Sequence, residues 1–382
     1  MVATTAAMGV STLAGVGIGA ADPDFAGSPG DVVSAEPVAY PGTLGVPQTD
    51  AWKIHYRSTD ALGQPSIVSG TVIVPRDGHT GTRPLVTYAV GTQGLGDQCA
   101  PSASIAKGEA PEGVSLLLAR GWAVTVTDYP GLGTPGDHTY LVGRSEGTAV
   151  LDAARAAQRI PEAHSSGVTQ NSPVGIIGYS QGGHASGWAA ELAHEYAPDL
   201  QVKGSVSGGV PADTLRSALD QQGQPDSGVG AYFAVAVGHN AAYPELDLDS
   251  YLTDEGKHVA EQVSNACVGE IVRAGEGKSR DTLLVSNPID SPAWRERLAE
   301  DRLGTKAPGF PVYLFHGTGD NVVPYPYGEQ LRSDWCGAGS SVEWRSYPLT
   351  DHVVTAILGV GPAVEWLGDR LAGKPTGGNC GR

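Results

Sequence analysis

Val174-Gly175-Ile176-Ile177-Gly178-Tyr179-Ser180-Gln181-Gly182-Gly183-His184 is the stretch on which the reading of this chain turns. It opens as an apolar run, passes through the pattern Gly-x-Ser-x-Gly, and leaves in residues compatible with a helix. A serine raised on a sharp strand-to-helix turn needs this order. The turn is strained, and side chains two positions before and after the serine would collide. Gly178 and Gly182 remove those collisions, and Gly183 extends the small-residue tract. In a chain with 54 glycines the pattern alone is weak. The flanking strand and helix give it weight. The plainer alternative is a glycine-rich turn in which Ser180 caps the helix.

Working outward, Asp50–Thr59 and Ile67–Pro75 alternate in polarity across Gly63-Gln64-Pro65 and predict an antiparallel hairpin. Short apolar runs bounded by Gly or Pro follow at Leu85–Val90, Trp122–Thr127, Val174–Ile177, Val202–Val206 and Val312–Phe315. Such runs suit parallel strands buried on both faces. Helical patterns lie between them at Gly113–Arg120, Thr148–Arg159, Gly182–Tyr196 and Pro362–Leu371. This alternation predicts an α/β fold with a mostly parallel central sheet flanked by helices. It fails between about Ala212 and Lys306, a stretch too long to be a loop. The expected organisation is a core over 22–211 and 307–382 with a mainly helical cap inserted at 212–306. The cap would cover the sheet's carboxyl edge, where α/β proteins bind ligands.

A serine hydroxyl attacks poorly at neutral pH, so it needs a base, and the base needs an acid to fix its tautomer. In the α/β-hydrolase fold these follow in the order Ser, Asp or Glu, His. His352 lies in a predicted loop after the strand Val342–Tyr347 and is the expected base. His316, inside its strand, reads as a structural residue. Asp320 follows a strand and a glycine turn and is the expected acid. Asp351 is its rival, but adjacent side chains diverge, so its carboxylate would not reach the His352 ring. The developing oxyanion needs two backbone N–H groups. Gln181 and the glycine-rich loop Gly91–Gly96 are expected to supply them. Tyr179, His184, Tyr232 and Phe233 are candidate substrate contacts, with His184 and the run Tyr232–Val237 equally suited to plain packing.

The net charge of -17 repels phosphate backbones, so nucleic acid is excluded as a partner. Residues 1–21 are small and apolar, carry no charge and end in Gly19-Ala20-Ala21, which predicts a secretory signal peptide and an extracellular protein. The basic start of such a peptide is missing, since the first lysine is Lys53. No later stretch reads as a membrane span. Cys99, Cys267, Cys336 and Cys380 form no C-x-x-C pair. In an exported chain this even count predicts two disulfides, in any of three pairings. No metal or organic cofactor is expected.

At this level of detail the chain resembles the secretory lipases of the lipase A type. The likeness rests on Thr87-Tyr88 with Gln93 and Cys99-Ala100-Pro101-Ser102, on Gly178-Tyr179-Ser180 with His184, on Asp320 with Val323-Pro324-Tyr325, on Cys336, and on Tyr347-Pro348 with Asp351-His352. The resemblance implies the same triad of Ser180, Asp320 and His352, and Gln93 at the oxyanion position, where the yeast member has an acidic residue. Gln181 stands where that member has glycine. The resemblance also implies the pairings Cys99–Cys267 and Cys336–Cys380. It implies hydrolysis of acylglycerols and simpler esters with the acyl chain held under the cap. Separately, no stable membrane insertion is expected, only transient contact at a lipid interface. Rival expectations are a peptidase, polyester hydrolase or acyltransferase on the same triad, or a binding protein without catalysis.

Overall fold

The computed structural model describes residues 27–41, 46–109, 111, 113–220 and 228–381. The expected signal segment 1–21 lies outside them. The strands are β1 (Val32–Pro37), β2 (Thr49–Thr59), β3 (Pro65–Pro75), β4 (Leu85–Ala89), β5 (Ala123–Thr127), β6 (Pro173–Tyr179), β7 (Gln201–Gly208), β8 (Val312–Gly317) and β9 (Val342–Tyr347). They form one nine-stranded sheet in the order β1-β2-β3-β5-β4-β6-β7-β8-β9. The expected hairpin is β2–β3, in continuous register from Thr49 opposite Pro75 to Thr59 opposite Pro65. β1, which the sequence reading did not foresee, adds antiparallel to β2 as a largely exposed edge. From β5 to β9 every neighbouring pair is parallel. β5 and β8 are buried along their whole length, as strands covered on both faces must be.

The helices of the first part are α1 (Pro101–Ile105), α2 (Val114–Ala119), α3 (Gly143–Arg159), α4 (Pro161–His164) and α5 (Gln181–Tyr196). Between β7 and β8 come α6 (Thr214–Asp220), α7 (Val229–Ala242), α8 (Asp254–Ser264), α9 (Val268–Gly275), α10 (Arg280–Leu283) and α11 (Pro292–Glu300). The chain closes with α12 (Tyr325–Gly337) and α13 (His352–Leu371). α3 and α5 pack on one face of the sheet, where Ala149, Ala153 and Ala189 meet Tyr56, Leu85 and Ile176. α2 and α13 cover the other face through Leu117, Leu118, Val364 and Leu367. The helices between β7 and β8 gather round an apolar cluster of their own, with Phe233, Val263, Trp294 and Leu298 at its centre.

Two helices start earlier than expected. α3 begins at Gly143, not Thr148. Its first five residues include Gly143 and Gly147, poor helix formers that mask the pattern. Both are needed for packing: a Cβ at Gly143 would lie 1.9 Å from the Trp188 indole nitrogen, and one at Gly147 would lie 2.9 Å from the Trp188 Cβ. α13 begins at His352, so this residue is the first of a helix and not part of a loop. Asp351 caps it, its Oδ1 accepting from Val354 N at 2.8 Å. Pro362, where the expected helix began, lies inside α13.

Candidate active site

Ser180 sits between β6 and α5 at φ 59°, ψ −123°, a left-handed conformation that L-residues rarely adopt. The flanking glycines permit it. A Cβ at Gly178 would approach Gly182 O to 2.0 Å, and one at Gly182 would approach Ala89 O to 2.0 Å. The turn is held by Ser180 N, which donates to Gly208 O at 2.9 Å.

Three distant stretches meet at this turn. Ser180 Oγ lies 2.9 Å from His352 Nε2, and His352 Nδ1 lies 2.7 Å from Asp320 Oδ2. Asp320 is fixed from its other side, where Oδ1 accepts Val322 N at 2.9 Å and Val323 N at 2.8 Å. Burial opposes ionisation of Asp320. Hydrogen bonds from His316 and His352 outweigh it and hold the carboxyl well below the usual carboxylate range. A carboxylate facing Nδ1 places the ring proton there, which leaves Nε2 to accept the serine proton. Asp351, occupied as a helix cap, makes no such bond.

Ser180, Gln93 and Gln181 all line one cavity. Gln181 is the first residue of α5, where a backbone N–H has no partner within the helix. The Gln93 loop is braced from outside: Gln93 O accepts Val268 N at 2.8 Å and Leu95 N donates to Ala266 O at 2.9 Å. The Cys99–Cys267 disulfide, with Cα atoms 5.5 Å apart, fastens the same contact. The second disulfide joins Cys336 to Cys380.

The cavity is about 990 Å³, near the upper end of ligand pockets, which run from roughly 300 to 1,000 Å³. Its walls are mostly apolar. Tyr88, Ile177, Phe315 and Val360 line it from the core, and Tyr232, Val235, Ile271 and Leu298 from the helices between β7 and β8. Tyr179 and Tyr232 therefore reach it as expected. Phe233 does not: it is 1% exposed and points into the apolar cluster around Trp294, because successive residues of α7 face different sides.

His184 is also away from the cavity wall. It is fully buried, with Nδ1 3.0 Å from Glu146 Oε2 and Nε2 accepting Trp188 Nε1–H at 3.2 Å. Burial disfavours the cation, but the Glu146 hydrogen bond and charge outweigh it and push His184 upward. Glu146 Oε1 also accepts Leu141 N at 3.0 Å and Gln181 Nε2 at 2.7 Å, and the same Gln181 nitrogen lies 3.1 Å from His138 Nε2. Burial pushes His138 down, so its Nε2 can act as acceptor. The sequence reading missed Glu146. Its signal was a charge at 146 on the same helical face as Val150, Ala153 and Ala157. Among the described residues no group of three or more His, Cys, Asp or Glu is placed to hold a metal, and no helix is long and apolar enough to cross a membrane.

The sequence model of the family described as "Secretory lipase" matches residues 109–379. The secreted triacylglycerol lipase LIP7 of Malassezia globosa is 30% identical over 379 residues, covering 92% of this chain and 78% of the relative. A protein of Mycobacterium tuberculosis named as the probable inactive lipase MT1628 is 29% identical over 368 residues, covering 91% and 79%. In structure the chain is similar to Candida antarctica lipase A in its closed state, with a TM-score of 0.80 at 22% identity over 93% of this chain and 87% of that one. It is also similar to the rice cell wall degrading esterase LipA from Xanthomonas oryzae, with a TM-score of 0.76 at 20% identity over 91% and 100%. Sheet order, flanking helices and these neighbours define an α/β-hydrolase fold. Within that class, the chain belongs to the secretory lipase family and is a carboxylic ester hydrolase.

Proposed function

We propose that the protein is a secreted serine lipase and esterase that hydrolyses acylglycerols and simpler esters through an acyl-enzyme on Ser180. The observation that carries this reading is the unbroken line from Asp320 through His352 to Ser180, opening into a largely apolar cavity. All three side chains are present and in hydrogen-bond order, which favours an active enzyme over a counterpart of the inactive relative. His352 takes the serine proton as Oγ attacks the ester carbonyl, and returns it to the leaving alcohol. Asp320 stabilises the imidazolium. The backbone N–H groups of Gln93 and Gln181 receive the oxyanion, and water then repeats the sequence to free the acid.

Residues 212–306 act as the cap, covering the acyl chain with α7, α9 and α11. Around the opening, Val322 and Val353 both line the cavity and stand 63% and 65% exposed. Leu349 at 93% and Ile357 at 59% extend this apolar ground on the loop before α13 and on α13 itself. Such a rim suits transient contact with a lipid surface. Removal of residues 1–21 would release the mature chain outside the cell, and N-terminal sequencing of protein from culture medium checks this.

Substrate class is tested by comparing rates on p-nitrophenyl butyrate, a long-chain triglyceride and an amino-acid anilide. Turnover of both esters with negligible anilide cleavage is expected. Preference for the anilide contradicts the reading.

A further inference from the structure

His316 is the penultimate residue of β8, four residues before Asp320, and is fully buried. Its Nε2 lies 2.9 Å from Val323 O and 3.4 Å from Asp320 Oδ2. Both neighbours accept, so the ring proton resides on Nε2 and points between them. Nδ1 has no hydrogen-bond partner among the described residues. The ring's place is reserved by Gly328, where a Cβ would come within 2.4 Å of Nδ1.

The oxygen that His316 faces is the one that receives His352 Nδ1. Val323 completes a closed circuit. Its N–H donates to Asp320 Oδ1 at 2.8 Å, and its carbonyl accepts from His316. A histidine serving only to finish the strand would need the Val323 bond alone. Here the hydrogen bond goes to Val323 O, and the same ring nitrogen also stands 3.4 Å from Asp320 Oδ2, the oxygen that the Val322 and Val323 amides leave free. Asp320 thus has three hydrogen bonds, from Val322 N, Val323 N and His352 Nδ1, with His316 Nε2 close beside its Oδ2.

We propose that His316 is a positioning residue for the triad: its Nε2–H holds Asp320 Oδ2 in line with His352 Nδ1 and carries part of the carboxylate's charge. This inference rests on the triad reading above. Its consequence is kinetic. Without the second donor, Asp320 keeps its bond to His352 but holds the ring less firmly in line with Ser180, so fewer encounters are productive and kcat falls. The carboxylate also becomes a stronger partner for the His352 cation. The imidazolium is then favoured in the free enzyme, and the acid limb of the kcat/KM profile moves to higher pH. The other titratable groups around this centre are Tyr179 on β6, Asp351 beside His352, and Tyr325, whose ring meets the His316 ring edge-on at 5.8 Å. Among the described residues, Asp320 forms ion pairs with His316 and His352 only.

The test uses the full chain and p-nitrophenyl butyrate. His316→Leu removes the donor and keeps the bulk. His316→Asn places its amide near the Nδ1 position, out of reach of Asp320, and serves if the Leu variant does not fold. His316→Gln can return an N–H to the Nε2 position. The Leu or Asn variant is expected to lose about 10- to 100-fold in kcat with little change in KM, the range for outer partners that orient a functional histidine. Its acid limb is expected to rise by roughly half a pH unit. The Gln variant recovers most of the rate and the parent profile. Unchanged kcat and pH profile in the Leu or Asn variant overturns the proposal, as does a Gln variant no better than either. A fluorophosphonate probe keeps the two readings apart. Failure of the parent protein to label at Ser180 defeats the triad itself, whereas a labelled parent with indifferent His316 variants defeats only this inference.

Discussion

The hydroxyl of Tyr179 donates to the backbone carbonyl of His352 at 2.7 Å, and the two rings lie 4.9 Å apart. The residue before Ser180 is thus tied to the first residue of α13, so the proposed nucleophile and base are joined through the backbone as well as through their own hydrogen bond. Tyr179→Phe keeps the ring and removes the tie. It is expected to lower kcat several-fold and stability by about 1 kcal/mol, the typical worth of one such hydrogen bond, as measured by steady-state kinetics and urea unfolding.

Glu146 joins Gln181 and His184 in one buried cluster with strict donor bookkeeping. In Glu146→Gln, the new amide group would face either the Gln181 amide or the His184 ring. If it faces His184, that ring must move its proton to Nε2, where the Trp188 N–H already points. One donor then opposes another. The expected cost is about 1–3 kcal/mol in urea unfolding. Adding Trp188→Phe removes the opposing donor, so the double change is expected to cost less than the two single changes summed.

Asp77 and Arg83 give a pH dependence of known sign. Arg83 is 1% exposed and donates to both oxygens of Asp77. Hydrogen bonds from Arg83 lower the Asp77 pKa to about 2, against mild opposition from burial. A depressed folded-state value means that the stabilisation is fully present above the unfolded pKa, ~3.9, and is lost as pH falls through the folded one. Asp77→Asn leaves a buried guanidinium without its charge partner and is expected to cost about 3 kcal/mol near pH 7. Unfolding measured from pH 7 down to pH 2 should show this difference shrinking below about pH 4.

The disulfide between Cys99 and Cys267 braces the loop that carries Gln93. Replacing both cysteines by serine is expected to lower stability by about 4 kcal/mol, given the long loop it closes. It should also lower kcat more than KM changes, because the proposed oxyanion donor loses its outer support. Thermal unfolding and kinetics on one ester read both effects.

The meeting of Ser180, Asp320 and His352 was more legible in the sequence than the residues packed around them. Ser180, Asp320 and His352 each follow a strand with a glycine- or turn-rich exit, so local pattern and chain order were enough to bring them together. Helix starts were less legible. Gly143 and Gly147 look like breakers, yet they make room for a tryptophan far along the chain, and nothing local reports that. His352 looked like a loop residue because Pro362 drew the expected helix start ten residues too late. Phe233 and Tyr232 differ only in which side of α7 they face, and hydrophobicity does not distinguish those sides. His316 and Glu146 each looked ordinary, since their meaning comes from oxygens and nitrogens contributed by other segments.

In the proposed mechanism Ser180 becomes acylated during turnover. Rapid acid quench of the enzyme with a p-nitrophenyl ester, followed by peptide mass spectrometry, measures this directly. This mechanism predicts an acyl adduct on the peptide containing Ser180, no adduct in Ser180→Ala, and a fall in kcat of at least ~10⁴-fold in that variant. An adduct on another residue, or parental turnover in Ser180→Ala, would contradict it.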